Sequence, residues 1–183
     1  MKFHRSPNNL SILVERFYLK GDNRFPNSEL PVLFYKGALD IPLLFAAAHV
    51  KNCLKKNNWS NAWENSIYKY HHYHSITHEV IGVYKGKTTL QLGGEKGIKL
   101  QIEKGDVLVI PAGVAHKNLG REEDLKCVGA YPNGMDYDIN YGKPGERPQT
   151  DKNIKAIPLP SDDPLGAKNK GLKELWYDEK VYN

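Results

Sequence analysis

Apolar and polar residues alternate strictly along two stretches near the middle of the chain. Thr88, Leu90 and Leu92 alternate with Thr89 and Gln91, and Ile98, Leu100 and Ile102 alternate with Lys99, Gln101 and Glu103. A period of two is that of a strand with one face buried. Lys85-Gly86 and Gly93-Gly94 to Gly97 are turn signals around these runs. Residues 106–110 and 125–131 read as further strands, the first closed by Pro111-Ala112-Gly113. The pattern predicts β-structure throughout residues 66–132. Upstream, residues 10–19 and 32–35 read as strands on either side of a polar, Pro-containing loop at 23–31. The period then changes. Leu43, Ala47, Val50 and Leu54 recur at helical spacing and predict one helix over 41–57, capped by Asp40, with Lys51, Lys55 and Lys56 toward its C-terminal end.

Short strands between tight turns predict an all-β fold, an antiparallel jelly-roll barrel with one preceding helix. Residues 1–183 are expected to form one domain, with N-terminal strands and helix at 9–58 and a barrel core at about 60–132. Residues 133–183, rich in Pro, Gly, Asp, Asn and Lys, are expected to be an extended tail that wraps the barrel, with a short helix near 172–176.

Composition narrows the partners. A hydrophobic content of 40% and a charged content of 26% in 183 residues are those of a soluble globular protein. The net charge of +5 comes from lysines scattered along the chain, with no basic stripe to track phosphates, so nucleic acid is not an expected partner. Cys53 and Cys127 share no short motif, which excludes a CxxC-type zinc site, and reduced thiols point to the cytoplasm. The first residues hold no apolar signal region, and no run approaches the ~20 apolar residues of a membrane helix.

The candidate chemistry is concentrated. Four of the seven histidines fall in the run His71-His72-Tyr73-His74-Ser75-Ile76-Thr77-His78-Glu79, and His116 follows after Pro111-Ala112-Gly113. Imidazole and carboxylate together suit a divalent metal of the Mn, Fe, Ni, Cu and Zn group. On a strand, His72 and His74 leave the same face and Tyr73 the other. The same parity would place Tyr68 and Tyr70 inward with them. Tyr70, one step from His72, is the expected hydrogen-bond donor to a substrate; the plainer alternative is a phenol bonded to a backbone carbonyl. His71 is out of phase with His72, and His4 and His49 read as ordinary packed or surface residues.

These residues resemble the two motifs of the cupin superfamily. His72-x-His74, four residues, Glu79, six residues and Gly86 match the first, with Ser66 in place of its leading glycine. Gly105, Pro111, Gly113 and His116 match the second; the asparagine usual four positions on is Gly120 here, and Asn118 is the nearest amide. The stretches Pro111-Ala112-Gly113-Val114-Ala115-His116-Lys117, Gly129-Ala130-Tyr131-Pro132 and Pro144-Gly145-Glu146-Arg147-Pro148 look like a group of small bacterial cupins, the YjlB-like proteins. The resemblance implies a metal held by His72, His74, Glu79 and His116. His78 competes with Glu79 for the fourth place; adjacent residues face opposite ways, and the interval to Gly86 favours Glu79. It also implies a small-molecule ligand or substrate and, with an apolar edge strand at 10–19, a homodimer. Dioxygenation or isomerisation of a small polar metabolite is the leading expectation, and a non-catalytic binding or sensing role the alternative.

Overall fold

A computed structural model describes residues 14–167 and 171–181. Among these residues, eight strands build one antiparallel sheet in the order β1-β2-β6-β4-β8-β3, with β5 and β7 also paired to β4. The strands are β1 (Val14–Leu19), β2 (Ser28–Tyr35), β3 (Trp59–Asn65), β4 (Glu79–Leu92), β5 (Ile98–Glu103), β6 (Val107–Ile110), β7 (His116–Asn118) and β8 (Leu125–Pro132). The fold is the expected jelly-roll barrel. Residues 10–13 of the first expected strand lie outside the described residues.

β4 is the spine. It does not turn at Lys85-Gly86, as the glycine suggests, but runs on through a bulge between Val83 and Lys85. Its first half pairs with β6 and β8, and its second half with β5 and β7. A bulge adds twist and lets one strand bend from one face of a barrel to another.

Alternation along these strands fills two cores. Val32, Phe34, Ile81, Val83, Leu108 and Ile110 point into the barrel. Their neighbours Leu33, Tyr35, Val80, Val107 and Val109 point outward, against α1 (Ala46–Lys56) and α3 (Leu172–Val181). β6 is therefore buried on both faces and has no polar position to spare. Each fully buried Leu or Ile here is worth about 1.5–3 kcal/mol.

The helix begins later than its periodicity suggests. α1 starts at Ala46, not Ile41, and its cap position is Phe45 in the left-handed region rather than Asp40. Pro42 disfavours helical geometry at Ile41, and Leu43 ends 96% exposed. Val50 and Leu54 are buried as the pattern requires. The tail carries α3 where a short helix is expected, and in addition α2 (Gln149–Ala156), whose polar sequence lacks an apolar stripe.

Candidate metal centre

The histidine run is not a strand. Residues 66–78 are irregular apart from short backbone bridges. One bridge joins His72 to His116: His72 N–H donates to the His116 carbonyl at 3.2 Å, and His116 N–H donates to the His72 carbonyl at 2.9 Å. The Gly113 N–H also donates to the His74 carbonyl at 2.8 Å. Gly113 has φ +91°, and a Cβ there would sit 2.3 Å from the Asn27 carbonyl oxygen, so only glycine makes this turn. The Pro-x-Gly turn thus clamps the histidine run and sets the His72 and His116 rings 4.1 Å apart. Glu79 opens β4 opposite Ile110 and is fully enclosed.

The three rings are turned alike. His72 Nδ1 faces the Tyr70 carbonyl, His116 Nδ1 the Val114 carbonyl at 3.0 Å, and His74 Nδ1 the Asp138 carbonyl. A ring that donates Nδ1–H to a carbonyl offers the lone pair of Nε2. Ligand atoms of His72, His74 and His116 lie within 4.8 Å of one another. The Glu79 Oε2 joins them, 3.5 Å from His74 Nε2 and 3.3 Å from His116 Nε2. The other carboxylate oxygen is already held: the Trp63 indole N–H donates to Oε1 at 3.0 Å and the Tyr131 hydroxyl at 3.2 Å.

Charge follows the geometry. Burial and the adjacent His116 push His72 down to about 2, so that ring is neutral. Burial opposes a charge on His74, but the Glu79 and Asp138 carboxylates outweigh it and raise its pKa. Burial alone would raise Glu79; the facing His74 and His116 rings hold it well below the ordinary carboxylate range. Glu79 Oε2 is buried and has no hydrogen bond. A buried carboxylate oxygen left that way is costly, and a cation at the point where three Nε2 atoms converge meets it. The donor set of three nitrogens and one oxygen fits a divalent transition metal.

The centre opens into a cavity of about 160 Å³, bounded by Trp63, Ile67, Tyr68, Tyr131, Tyr137 and Ile139 among others. That is below the ~300–1,000 Å³ of most ligand pockets. Tyr131 and Tyr137 stack at 4.6 Å between ring centroids. Tyr137 and Ile139 come from the tail. Asp138 between them fastens that wall: its carboxylate accepts from Ser75 N–H at 2.6 Å, the Ser75 hydroxyl at 2.5 Å and Asn140 Nδ2 at 2.7 Å.

The structure gathers His72, His74, Glu79 and His116 and does not gather Tyr70. Tyr70 is 47% exposed, stacked on Tyr68, and absent from the cavity wall. Without a strand at 66–78, the parity that placed it inward does not hold, and only Tyr68 reaches the cavity. His78 faces away: its Nδ1 accepts from Ala112 N–H at 3.0 Å and its ring lies 4.9 Å from that of Trp176. Asn118 is buried and occupied, accepting from the Thr88 hydroxyl and Gly120 N–H. Trp63 and Tyr131 were not legible as site residues. Their one signal is Gly129, where a Cβ would sit 2.1 Å from the Trp63 ring. Gly129 shares a face with Tyr131 two residues on, and its missing side chain admits the indole to Glu79.

Comparison with known proteins agrees with this architecture. Residues 64–128 match the family described as Cupin domain. The Bacillus subtilis (strain 168) protein YjlB, described as uncharacterized, is 40% identical over 164 residues, covering 89% of this chain and 96% of that protein. Acireductone dioxygenase from Bacillus anthracis, solved with a cadmium ion in its active centre, is similar at 13% identity over 51% of this chain and 63% of that one, with a TM-score of 0.38. Procruciferin from Brassica napus, an 11S globulin, is similar at 20% identity over 45% of this chain and 21% of that one, with a TM-score of 0.34. The chain thus spans less than two thirds of the length of either solved protein. Among the described residues, no helix is long and apolar enough to cross a membrane.

Proposed function

The chain belongs to the cupin family, and on that premise we propose that it is a metal-dependent enzyme acting on a small polar metabolite, by dioxygenation or isomerisation. His72, His74, His116 and Glu79 hold one divalent transition metal. The observation that carries this reading is the convergence of three Nδ1-anchored imidazoles on a buried carboxylate oxygen that lacks a hydrogen bond. A metal held there would supply Lewis-acid or redox chemistry to a substrate oxygen.

The protein's own groups do the rest. Trp63 and Tyr131 hold Glu79 Oε1, which aims Oε2 at the three nitrogens. Burial and the neighbouring Glu79 raise the Tyr131 phenol well above its ordinary value, so it stays protonated and donates to Glu79 while accepting from the Trp63 indole N–H at 3.1 Å. The stacked Tyr131 and Tyr137 rings form a flat wall against which a small ligand is oriented and from which water is excluded. The size of the cavity, about 160 Å³, favours a small substrate.

Metal analysis of protein purified without added metal tests the first half of the reading. Near one metal per chain is expected, and none in the His74→Ala variant. Incubation with a metabolite mixture, read as oxygen uptake and loss of individual compounds, tests the second half. A loaded protein that consumes nothing and still binds a metabolite is a sensing cupin, not an enzyme. The homodimer also belongs to this reading: β1 ends the sheet order and carries the half-exposed Tyr18. Sedimentation at micromolar concentration should give a dimer.

A further inference from the structure

The histidine next to the metal centre, His71, faces a different depression, of about 380 Å³, on the outer surface. Its side chain is only 3% exposed, and neither ring nitrogen has a hydrogen-bond partner. Glu95 Oε1 lies 3.3 Å from Nε2 but not in hydrogen-bond geometry, and that carboxylate is 64% exposed and accepts from Lys117 Nζ at 3.1 Å. Arg24, Lys117 and Lys143 line the same depression, so three permanent cations meet one acid.

Two of those cations are held by rings instead of carboxylates. The Arg24 guanidinium lies 4.9 Å over the Phe25 ring, and Lys143 Nζ lies 4.9 Å over the Tyr141 ring. Aromatic faces position a cation without neutralising it. The Phe25 ring in turn packs 5.3 Å from His71. Among the described residues, neither Arg24 nor Lys143 has a carboxylate within salt-bridge distance. The residues come from separate parts of the chain: the β1–β2 loop, the histidine run, the β4–β5 turn, β7 and the tail.

We propose that this depression is a binding site for a small phosphate monoester. A carboxylate, with one charge and two oxygens, would leave most of these donors unmet. A phosphate dianion offers three oxygens to an arginine fork, two ammonium groups and an imidazole N–H. Tyr70 and Tyr141, with ring centroids 5.6 Å apart, flank the depression and give the organic part of the ester a surface. This gives Tyr70 a place in a site distinct from the metal cavity, and the proposal stands whether or not a metal binds.

The test is calorimetric titration of the whole protein with phenyl phosphate and with inorganic phosphate, at ionic strength fixed with potassium chloride. Saturable binding of phenyl phosphate is expected, tighter than that of inorganic phosphate, with the His71 ring nitrogen resonances moving along the same curve. Arg24→Gln and Lys143→Gln, both at exposed positions, should each weaken binding about tenfold. Lys55→Gln, on α1, should leave it unchanged. Equal affinity for the two probes would keep the site and make free phosphate its ligand. No saturable heat with either probe, or full affinity in both the Arg24 and Lys143 variants, overturns the proposal; the latter result would put the phosphate elsewhere.

Discussion

His74 and His78 lie four residues apart, and both are almost wholly buried, at 5% and 3% exposure. His74 presents Nδ1 to a carbonyl and Nε2 to Glu79. His78 uses Nδ1 to accept a backbone N–H and lays its ring on Trp176, in the outer core beneath α3. His71, as deeply enclosed, sits against Phe25 and opens to yet another surface. Residue type and burial are therefore shared, and they do not decide the chemistry. The deciding quantity is which ring nitrogen the backbone occupies. A carbonyl at Nδ1 frees the Nε2 lone pair for a metal, whereas an N–H at Nδ1 uses up the acceptor of a neutral ring.

The largest test of that contrast is His74→Ala beside His78→Ala. The first should remove the metal, measured per chain by elemental analysis. Glu79→Gln should also cost affinity heavily. Full occupancy in the His74 variant would sink the assignment. Next is Asp138→Ala, which frees the Ser75 and Ile76 amides and loosens the carbonyl that anchors His74. Competition titration should then show metal affinity reduced by the ~10–100-fold of an outer-shell change. The pH dependence comes third. Because the pKa of His74 is raised, that ring still holds a proton in the metal-free protein just above the ordinary imidazole range, and the metal must displace it. Apparent affinity should climb with pH through 6.5 and beyond, by up to about tenfold per unit for each proton released. A flat profile between pH 6 and 8 would contradict it.

His78→Ala supplies the other half of the contrast. It should keep the metal and lower stability by about 1–3 kcal/mol, since the Ala112 N–H loses its acceptor. Thermal melts at equal metal occupancy read this directly, and a metal-free His78 variant would merge the two classes. The smallest effect is that of Tyr70→Phe. With its ring half exposed, the change should leave metal occupancy intact and alter stability by no more than about 0.5 kcal/mol.

Much of this was visible in the chain. The alternation at 88–92 and 98–102 gave β4 and β5, and the spacing of His72, His74, Glu79 and His116 marked the residues that the fold brings together. What misled was local. A histidine- and tyrosine-rich run has strand propensity, yet residues 66–78 are pinned by separate backbone bonds to Gly113, His116, Asn118 and Asn140 instead of by a continuous ladder, so parity fails at Tyr70. Gly86 has the positive φ of a turn, yet it stays paired with Leu125 in β4, just past the bulge between Val83 and Lys85. Trp63, Tyr131 and Asp138 were hidden because their roles arise only through contacts 16, 52 and 64 residues away in sequence.

The last of those separations also sets an order of events in synthesis. His74 leaves the ribosome 64 residues before the carbonyl that fixes its ring. At ~5–20 residues per second, that is a delay of roughly 3 to 13 seconds. Over the last third of it, once His116 has been made, the nascent chain holds all four converging side chains but not Tyr137, Asp138 or Ile139. The centre is thus completed from its open side, with the wall closing last. Loading of the proposed metal would have a window before that closure, and a chain truncated ahead of residue 137 would keep the four side chains without the wall that aims His74.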